Sequence, residues 1–115
     1  MKENRRHPRY GIASMAEVFI PGSDSSMEAF ISSLSRGGIG VYSPDKLKVG
    51  LNVEVKITFL QTNGSEEVTE IIPGQVVWVK DFHQNFVIGI AFTTLDNLRH
   101  SKLLSYIESA AQGTS

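Results

Sequence analysis

The sequence has 115 residues, of which 41% are hydrophobic and 20% charged, and its formal net charge is −1. The length and composition suit a single folded domain and exclude a disordered chain, while the near-neutral charge argues against bulk electrostatic binding to DNA or RNA. There is no cysteine, which excludes disulfides and thiolate metal sites, and no apolar run approaches the ~20 residues of a membrane span.

The N-terminal segment concentrates positive charge. Arg5, Arg6 and Arg9 lie within five residues, directly before the first segment with the pattern of a strand. Each guanidinium has a permanent charge and planar paired donors, so this cluster can bind phosphates and guanine. A solvated charged tail is the commoner explanation for a basic terminus. No apolar segment of a secretory signal follows it, so we expect a cytoplasmic protein.

Alternation of apolar and polar residues then predicts about six strands, separated by turn-forming residues. The clearest is the segment 51–60, in which every second residue is apolar. The fifth strand should be long or bent because Pro73-Gly74 interrupts it. The predicted strands are residues 12–20, 27–34, 39–42, 51–60, 68–80 and 86–92.

The last two predicted strands contain small residues and a tryptophan whose positions affect how side chains pack there. Gly89 and Ala91 share one face of the sixth predicted strand, and their small size allows another group to pack closely there. Trp78 lies within an apolar strand, where a lone tryptophan is more often a core residue than a platform for a ligand. We therefore expect Trp78 to be buried.

After the sixth strand the apolar period becomes helical. The pattern predicts a helix over residues 95–109, with Thr94 as its N-cap and Asp96 in its first turn. Six strands and one helix predict an all-β fold: a small six-stranded antiparallel barrel with a C-terminal helix. Closure would remove exposed strand edges, although an open sheet covered by the helix is the alternative.

Few residues suggest catalysis. The three histidines have no partner at a metal-ligand spacing, and neither a nucleophile elbow nor a phosphate-binding loop occurs. The neighbouring carboxylates Glu66 and Glu67 suit a solvated face. We therefore expect no enzyme activity, no catalytic residues, no metal site and no cofactor.

A second candidate binding segment is Ser33-Leu34-Ser35-Arg36-Gly37-Gly38. Hydroxyls two residues apart in a strand point to the same face, and glycines allow backbone N–H groups to approach a ligand. With the charge of Arg36, the segment could form an anion site for phosphate. An equally good interpretation is a simple hairpin turn between two strands.

These two segments resemble the motifs of PilZ domains. Arg5-Arg6-His7-Pro8-Arg9 is similar to the R-x-x-x-R motif, and residues 33–38 are similar to the second motif, [DN]-x-S-x-x-G. Gly74-Gln75-Val76-Val77-Trp78 and Ile88-Gly89-Ile90-Ala91-Phe92 also resemble the family. The resemblance covers nearly the whole chain. It implies a six-stranded antiparallel barrel that binds the bacterial second messenger cyclic di-GMP without catalysis.

The resemblance also implies the binding residues. Arg5 and Arg9 match the arginines that bind phosphates and guanine edges, and Ser33, Ser35 and Gly38 match the second motif. The neighbouring Arg6, Arg36 and Gly37 complete the expected cyclic di-GMP site. Ser33 stands where the family has Asp or Asn, and a poorly made hydrogen bond there would cost about 1–3 kcal/mol, roughly ten- to a hundredfold in affinity.

The implied mechanism involves two parts of the chain. We expect residues 1–11 to form a flexible arm that closes on the ligand against a single domain of residues 12–112, altering a partner-binding surface. The partner would be a protein of motility, secretion or polysaccharide synthesis, and the role would be bacterial motility or biofilm regulation. The alternative is an adaptor with weak or no nucleotide binding. We expect neither nucleic acid nor a membrane span.

Overall fold

The structure, a computed structural model, describes residues 15–60, 67–96 and 99–113. These residues form six strands and one helix: β1 Met15–Phe19, β2 Ser26–Leu34, β3 Gly38–Ser43, β4 Asn52–Leu60, β5 Glu67–Phe82, β6 Asn85–Phe92 and α1 Ser101–Gly113. All strand pairs are antiparallel, and the order β1-β2-β3-β6-β5-β4 closes on itself. The predicted six-stranded antiparallel barrel with a C-terminal helix is confirmed, and the alternative open sheet is wrong.

The interior of the barrel follows the alternation of the sequence. In β4, Val53, Val55, Ile57 and Phe59 are all buried, as the alternation predicts. Full burial of one such side chain stabilises the fold by about 1.5–3 kcal/mol. The longest strand, β5, has 16 residues and continues through Pro73 without a break, so the prediction of a long strand is confirmed.

Helix α1 differs from its prediction at both ends. It begins at Ser101 rather than residue 95 and ends at Gly113 rather than residue 109. Before it, the Asp96 N–H donates to His100 Nδ1 (3.0 Å), and the His100 N–H donates to the Asp96 carbonyl (2.7 Å). The backbone carbonyl of His100 accepts the first hydrogen bond of α1, from the Leu104 N–H (2.9 Å). The expected cap at Thr94 is therefore wrong.

Apolar residues at helical spacing continue before the first residue of α1, although the backbone there is not helical. Leu95 is partly buried and packs against the core from an irregular segment. A leucine at helical spacing therefore satisfies the core without helical backbone, which accounts for the misplaced boundary.

Helix α1 covers one end of the barrel. Leu103, Tyr106 and Ile107 join the buried core, and the Tyr106 ring centroid lies 4.8 Å from that of Phe59. Glu70 Oε1 accepts a hydrogen bond from the Leu103 N–H (3.3 Å), which places a carboxylate at the positive end of the helix dipole. Among the residues described, no helix is both long and apolar enough to cross a membrane.

Candidate functional site

The arginines of the N-terminal segment, Arg5, Arg6 and Arg9, lie outside the described residues. Strand β1 begins at Met15, which pairs with Phe30 of the antiparallel strand β2. The beginning of β1 and the end of β2 therefore lie at the same end of the barrel. From Met15, Ser33 is three residues further along the neighbouring strand, or roughly 11 Å away. Arg9 lies six positions before Met15, and six residue steps can span up to ~20 Å.

The second candidate segment forms the hairpin between β2 and β3. Strand β2 ends at Leu34, and the Ser35 N–H donates to the Gly38 carbonyl (2.9 Å). The Gly37 N–H donates to Ser35 Oγ (3.2 Å), so this hydroxyl stabilises its own loop. The expectation that Ser33 and Ser35 share one strand face is therefore wrong, because Ser35 lies beyond the strand.

The two glycines of this hairpin have different surroundings. A Cβ added to Gly38 would clash with the backbone carbonyl of Ile90, because β3 and β6 approach closely there. A Cβ on Gly37 would meet only Ser35 Oγ, at 3.9 Å. Gly38 is thus required by packing of the barrel, whereas Gly37 has space around its Cα.

A β-bulge near the end of β2 brings two hydroxyls together. The pairing of β2 with β3 shifts between Ile31 and Ser33, which leaves Ser32 as the extra residue. Simple alternation would place Ser32 and Ser33 on opposite faces. Instead, a Cβ added to Gly40 would lie 2.8 Å from the Oγ atoms of both serines. Ser32 was missed in the sequence because the bulge depends on pairing with another strand.

A second bulge, in β5, changes the position of Trp78. The pairing of β5 with β6 shifts between Val76 and Trp78, and Val77 is the extra residue. Alternation from the buried Val76 would turn Trp78 inward, but the bulge turns both Val77 and Trp78 outward. Trp78 is 40% exposed, so the expectation of a core tryptophan is wrong.

The two bulges flank a pair of glycines on the outer wall of the barrel. Ser33 pairs with Gly40, Gly40 with Gly89, and Gly89 with Trp78. These four residues, here called the glycine row, cross four neighbouring strands at one level. A Cβ on Gly89 would lie 2.7 Å from Trp78 Cδ2 and closer still to Cε2 and Nε1. The predicted close packing at the small residue Gly89 is confirmed, and the packed group is the indole ring.

Cationic side chains lie near both ends of the glycine row. Arg36, in the loop that follows Ser33, donates from a terminal guanidinium nitrogen to Glu108 of α1 (3.1 Å). The Lys80 ammonium lies 5.3 Å from the centroid of the Trp78 ring. Both side chains are exposed, so an anion on this face could recruit them.

Across the part of the chain that the structure describes, no three His, Asp or Glu side chains come together as a metal site. His100 is committed to the fold: its Nδ1 accepts from Asp96, which leaves Nε2–H to donate to the Ile71 carbonyl (3.1 Å). The outer wall at the glycine row offers hydroxyls, nearby cations and an indole ring, which together suit an anionic aromatic ligand.

The chain also matches a model of a known protein family. The family model described as the PilZ domain matches residues 3–109, nearly the whole chain. The matched range contains both candidate segments and the glycine row. A search of the curated proteins gives no match.

Proposed function

The chain belongs to the PilZ domain family, and we propose that it is a non-catalytic receptor for cyclic di-GMP that acts in the cytoplasm. The observation that carries the proposal is the match over residues 3–109, which includes both the arginine segment and residues 33–38. Cyclic di-GMP contains two guanines and two phosphates. These are the groups that arginine binds best through paired hydrogen bonds.

We assign the two parts of the chain different roles. Residues 1–11 act as an arm whose Arg5 and Arg9 bind phosphates and guanine edges, with Arg6 adding charge. Residues 12–112 form the domain against which the arm closes. The start of β1 beside the end of β2 supports this arrangement, because Arg9 is within reach of Ser33.

The domain contributes Ser33, Ser35, Arg36, Gly37 and Gly38. Ser33 is shorter than the Asp or Asn expected there and cannot accept from two guanine donors at once. The bulge supplies a second hydroxyl, that of Ser32, beside it over Gly40. Two neighbouring hydroxyls can share the two donors of a guanine edge, which supports binding despite the substitution, but each hydroxyl reaches less far than a carboxylate or amide, so we expect the binding to be weaker than with Asp or Asn.

Calorimetric titration with cyclic di-GMP tests the proposal. We expect saturable heat for the protein and none for Arg9→Ala, because a bidentate phosphate or guanine contact would be lost. Lys2→Ala removes the same charge outside the motif and should bind like the parent. Absence of heat and of a thermal shift at high micromolar ligand would refute the receptor function.

A second candidate function is an adaptor that binds a protein of motility, secretion or polysaccharide synthesis without nucleotide. Ser33 favours it, as does the exposure of aromatic rings on the outer wall. Phe30 is 61% exposed, and the exposed Tyr42 and Phe82 rings contact each other with centroids 5.1 Å apart. Binding of such a partner by protein that gives no heat with cyclic di-GMP would favour the adaptor.

A further inference from the structure

We propose that the outer wall of the barrel binds a second copy of this chain through a row of five residues, here called the outer stripe. The stripe crosses five strands at one level, because each member pairs with the next, and it lies beside the glycine row. This interaction goes beyond the proposed receptor function and does not depend on nucleotide. The members of the stripe, in order, are Met15 of β1, Phe30 of β2, Tyr42 of β3, Val87 of β6 and Lys80 of β5.

The centre of the outer stripe is aromatic. Phe30 is 61% exposed, and the exposed Tyr42 ring lies 5.1 Å from the ring of Phe82, at the end of β5. The Phe82 ring also contacts the His83 ring edge-on, with centroids 4.5 Å apart. Exposed apolar patches of this kind mark interaction surfaces. Rings that already support one another also lose little freedom when a partner packs on them.

The two ends of the outer stripe carry opposite charge. At the β1 end, Glu17 and Glu28 form a cross-strand pair two residues along their strands from the stripe, and Lys56 Nζ lies 3.7 Å from Glu17. Like charges directly opposite each other are unfavourable, so Glu28 would gain from a further cation. At the β5 end, the Lys80 side chain is exposed. The ion pairs between described residues include neither Glu28 nor Lys80.

A surface with an apolar centre and oppositely charged ends is complementary to itself. A twofold axis parallel to β3 at Tyr42 places this ring opposite its counterpart in the second copy, and β5 opposite β1. Lys80 then lies opposite Met15, and a step of ~7 Å along the strands leads to Glu17 and Glu28, within reach of a lysine side chain. Each contact occurs twice, as in the isologous dimers that are commonest among homo-oligomers. A second copy therefore matches both the rings and the charges.

The size of the outer stripe limits the strength of the interaction. Four strand spacings of ~4.8 Å make the stripe roughly 19 Å wide, and it curves with the wall of a closed barrel. A stable interface needs about 800 Å² from each partner, so this surface supports a transient dimer with a micromolar Kd.

Sedimentation velocity over a range of protein concentrations, without nucleotide, tests the inference. The parent protein should shift from monomer to dimer as its concentration rises to about 1 mM. Phe30→Ala should weaken self-association roughly 5- to 50-fold, because it removes the most exposed ring of the stripe. Ile71→Ala truncates a side chain that is 51% exposed on the first half of β5, outside the stripe. It is the matched control and should associate like the parent.

Exchange of charges distinguishes a second copy on this surface from any other arrangement. Lys80→Glu and Glu28→Lys should each weaken self-association roughly 3- to 30-fold, because like charges then face each other at both ends of the stripe. An equimolar mixture of the two variants should associate at least as well as the parent. In the mixed dimer, position 80 of each copy faces an opposite charge at position 28 of the other.

A parent protein that stays monomeric up to about 1 mM would overturn the inference. So would a dimer that persists in Phe30→Ala, with no gain when the two charge variants are mixed. If Phe30→Ala does not fold, the charge variants and their mixture still decide the question. None of these measurements contains nucleotide, so their failure leaves the receptor function intact, and a protein that gives no heat with cyclic di-GMP can still dimerise.

Discussion

Arg36 and Glu108 form an ion pair of 3.1 Å that joins the β2–β3 loop to helix α1. Both side chains are exposed, and such pairs contribute only about 0–1 kcal/mol to stability. A phosphate that binds Arg36 would therefore lose little free energy by displacing Glu108. Release of Glu108 would carry the effect of binding from the candidate site to the helix.

The substitution Glu108→Gln should strengthen binding of cyclic di-GMP by roughly two- to fivefold, because Arg36 no longer has a competing carboxylate. Calorimetry at low and high salt measures this, and the gain should shrink as salt rises. Asp24→Asn removes the same charge from the turn at the opposite end of the barrel and should have little effect. Equal affinities of Glu108→Gln and the parent would refute competition between Glu108 and the ligand for Arg36.

The substitution Ser33→Asn should also strengthen binding, by roughly ten- to a hundredfold, because an amide can accept from the guanine edge over a longer reach. Ser33 is exposed and faces outward, so the larger side chain fits without disturbing the core. Ser105→Asn, at an exposed position of α1, serves as the control. Unchanged affinity in Ser33→Asn would mean that the Ser32 and Ser33 hydroxyls already supply the acceptors.

The two hairpin glycines should respond differently to alanine. Gly38→Ala places a Cβ against the Ile90 carbonyl and should lower the free energy of unfolding by about 1–3 kcal/mol. Gly37→Ala meets no close atom and should change it by less than about 0.5 kcal/mol. Urea unfolding of both variants measures the difference. Equal stabilities would mean that β3 and β6 do not approach as closely as described.

Removal of the His100 ring should loosen the attachment of α1 to the barrel. In His100→Ala the Ile71 carbonyl and the Asp96 N–H lose their hydrogen bonds to the ring, at a cost of about 1–3 kcal/mol. Relative to the parent protein, amide hydrogen exchange in His100→Ala should become faster in α1 and change less in β4. Lys102→Ala, at an exposed position of the same helix, is the control. Uniform exchange in His100→Ala would show that the helix is held by its apolar face alone.

The barrel could be predicted from the sequence because its core depends on local alternation, as Val53, Val55 and Ile57 illustrate. The position of Trp78 could not be predicted, since the bulge before it exists only through pairing with β6. For the same reason, simple alternation wrongly places Ser32 and Ser33 on opposite faces of β2, because the bulge there exists only through pairing with β3. The start of α1 was misplaced because Leu95 packs against the core from outside the helix, and because the Asp96 N–H donates to the His100 ring, a contact that the spacing of apolar residues does not encode.

The bulge at Ser32 also affects how the chain can vary in length. An added residue inside a strand normally reverses the direction of every side chain after it. Here Ser32 is accommodated without that effect, because Ile31 before it and Leu34 after it both keep contact with the core. Deletion of Ser32 would shorten the wall by one residue and leave Ser33 opposite Gly40. Related sequences can therefore differ by one residue at this point and still place the same side chains on the outer wall.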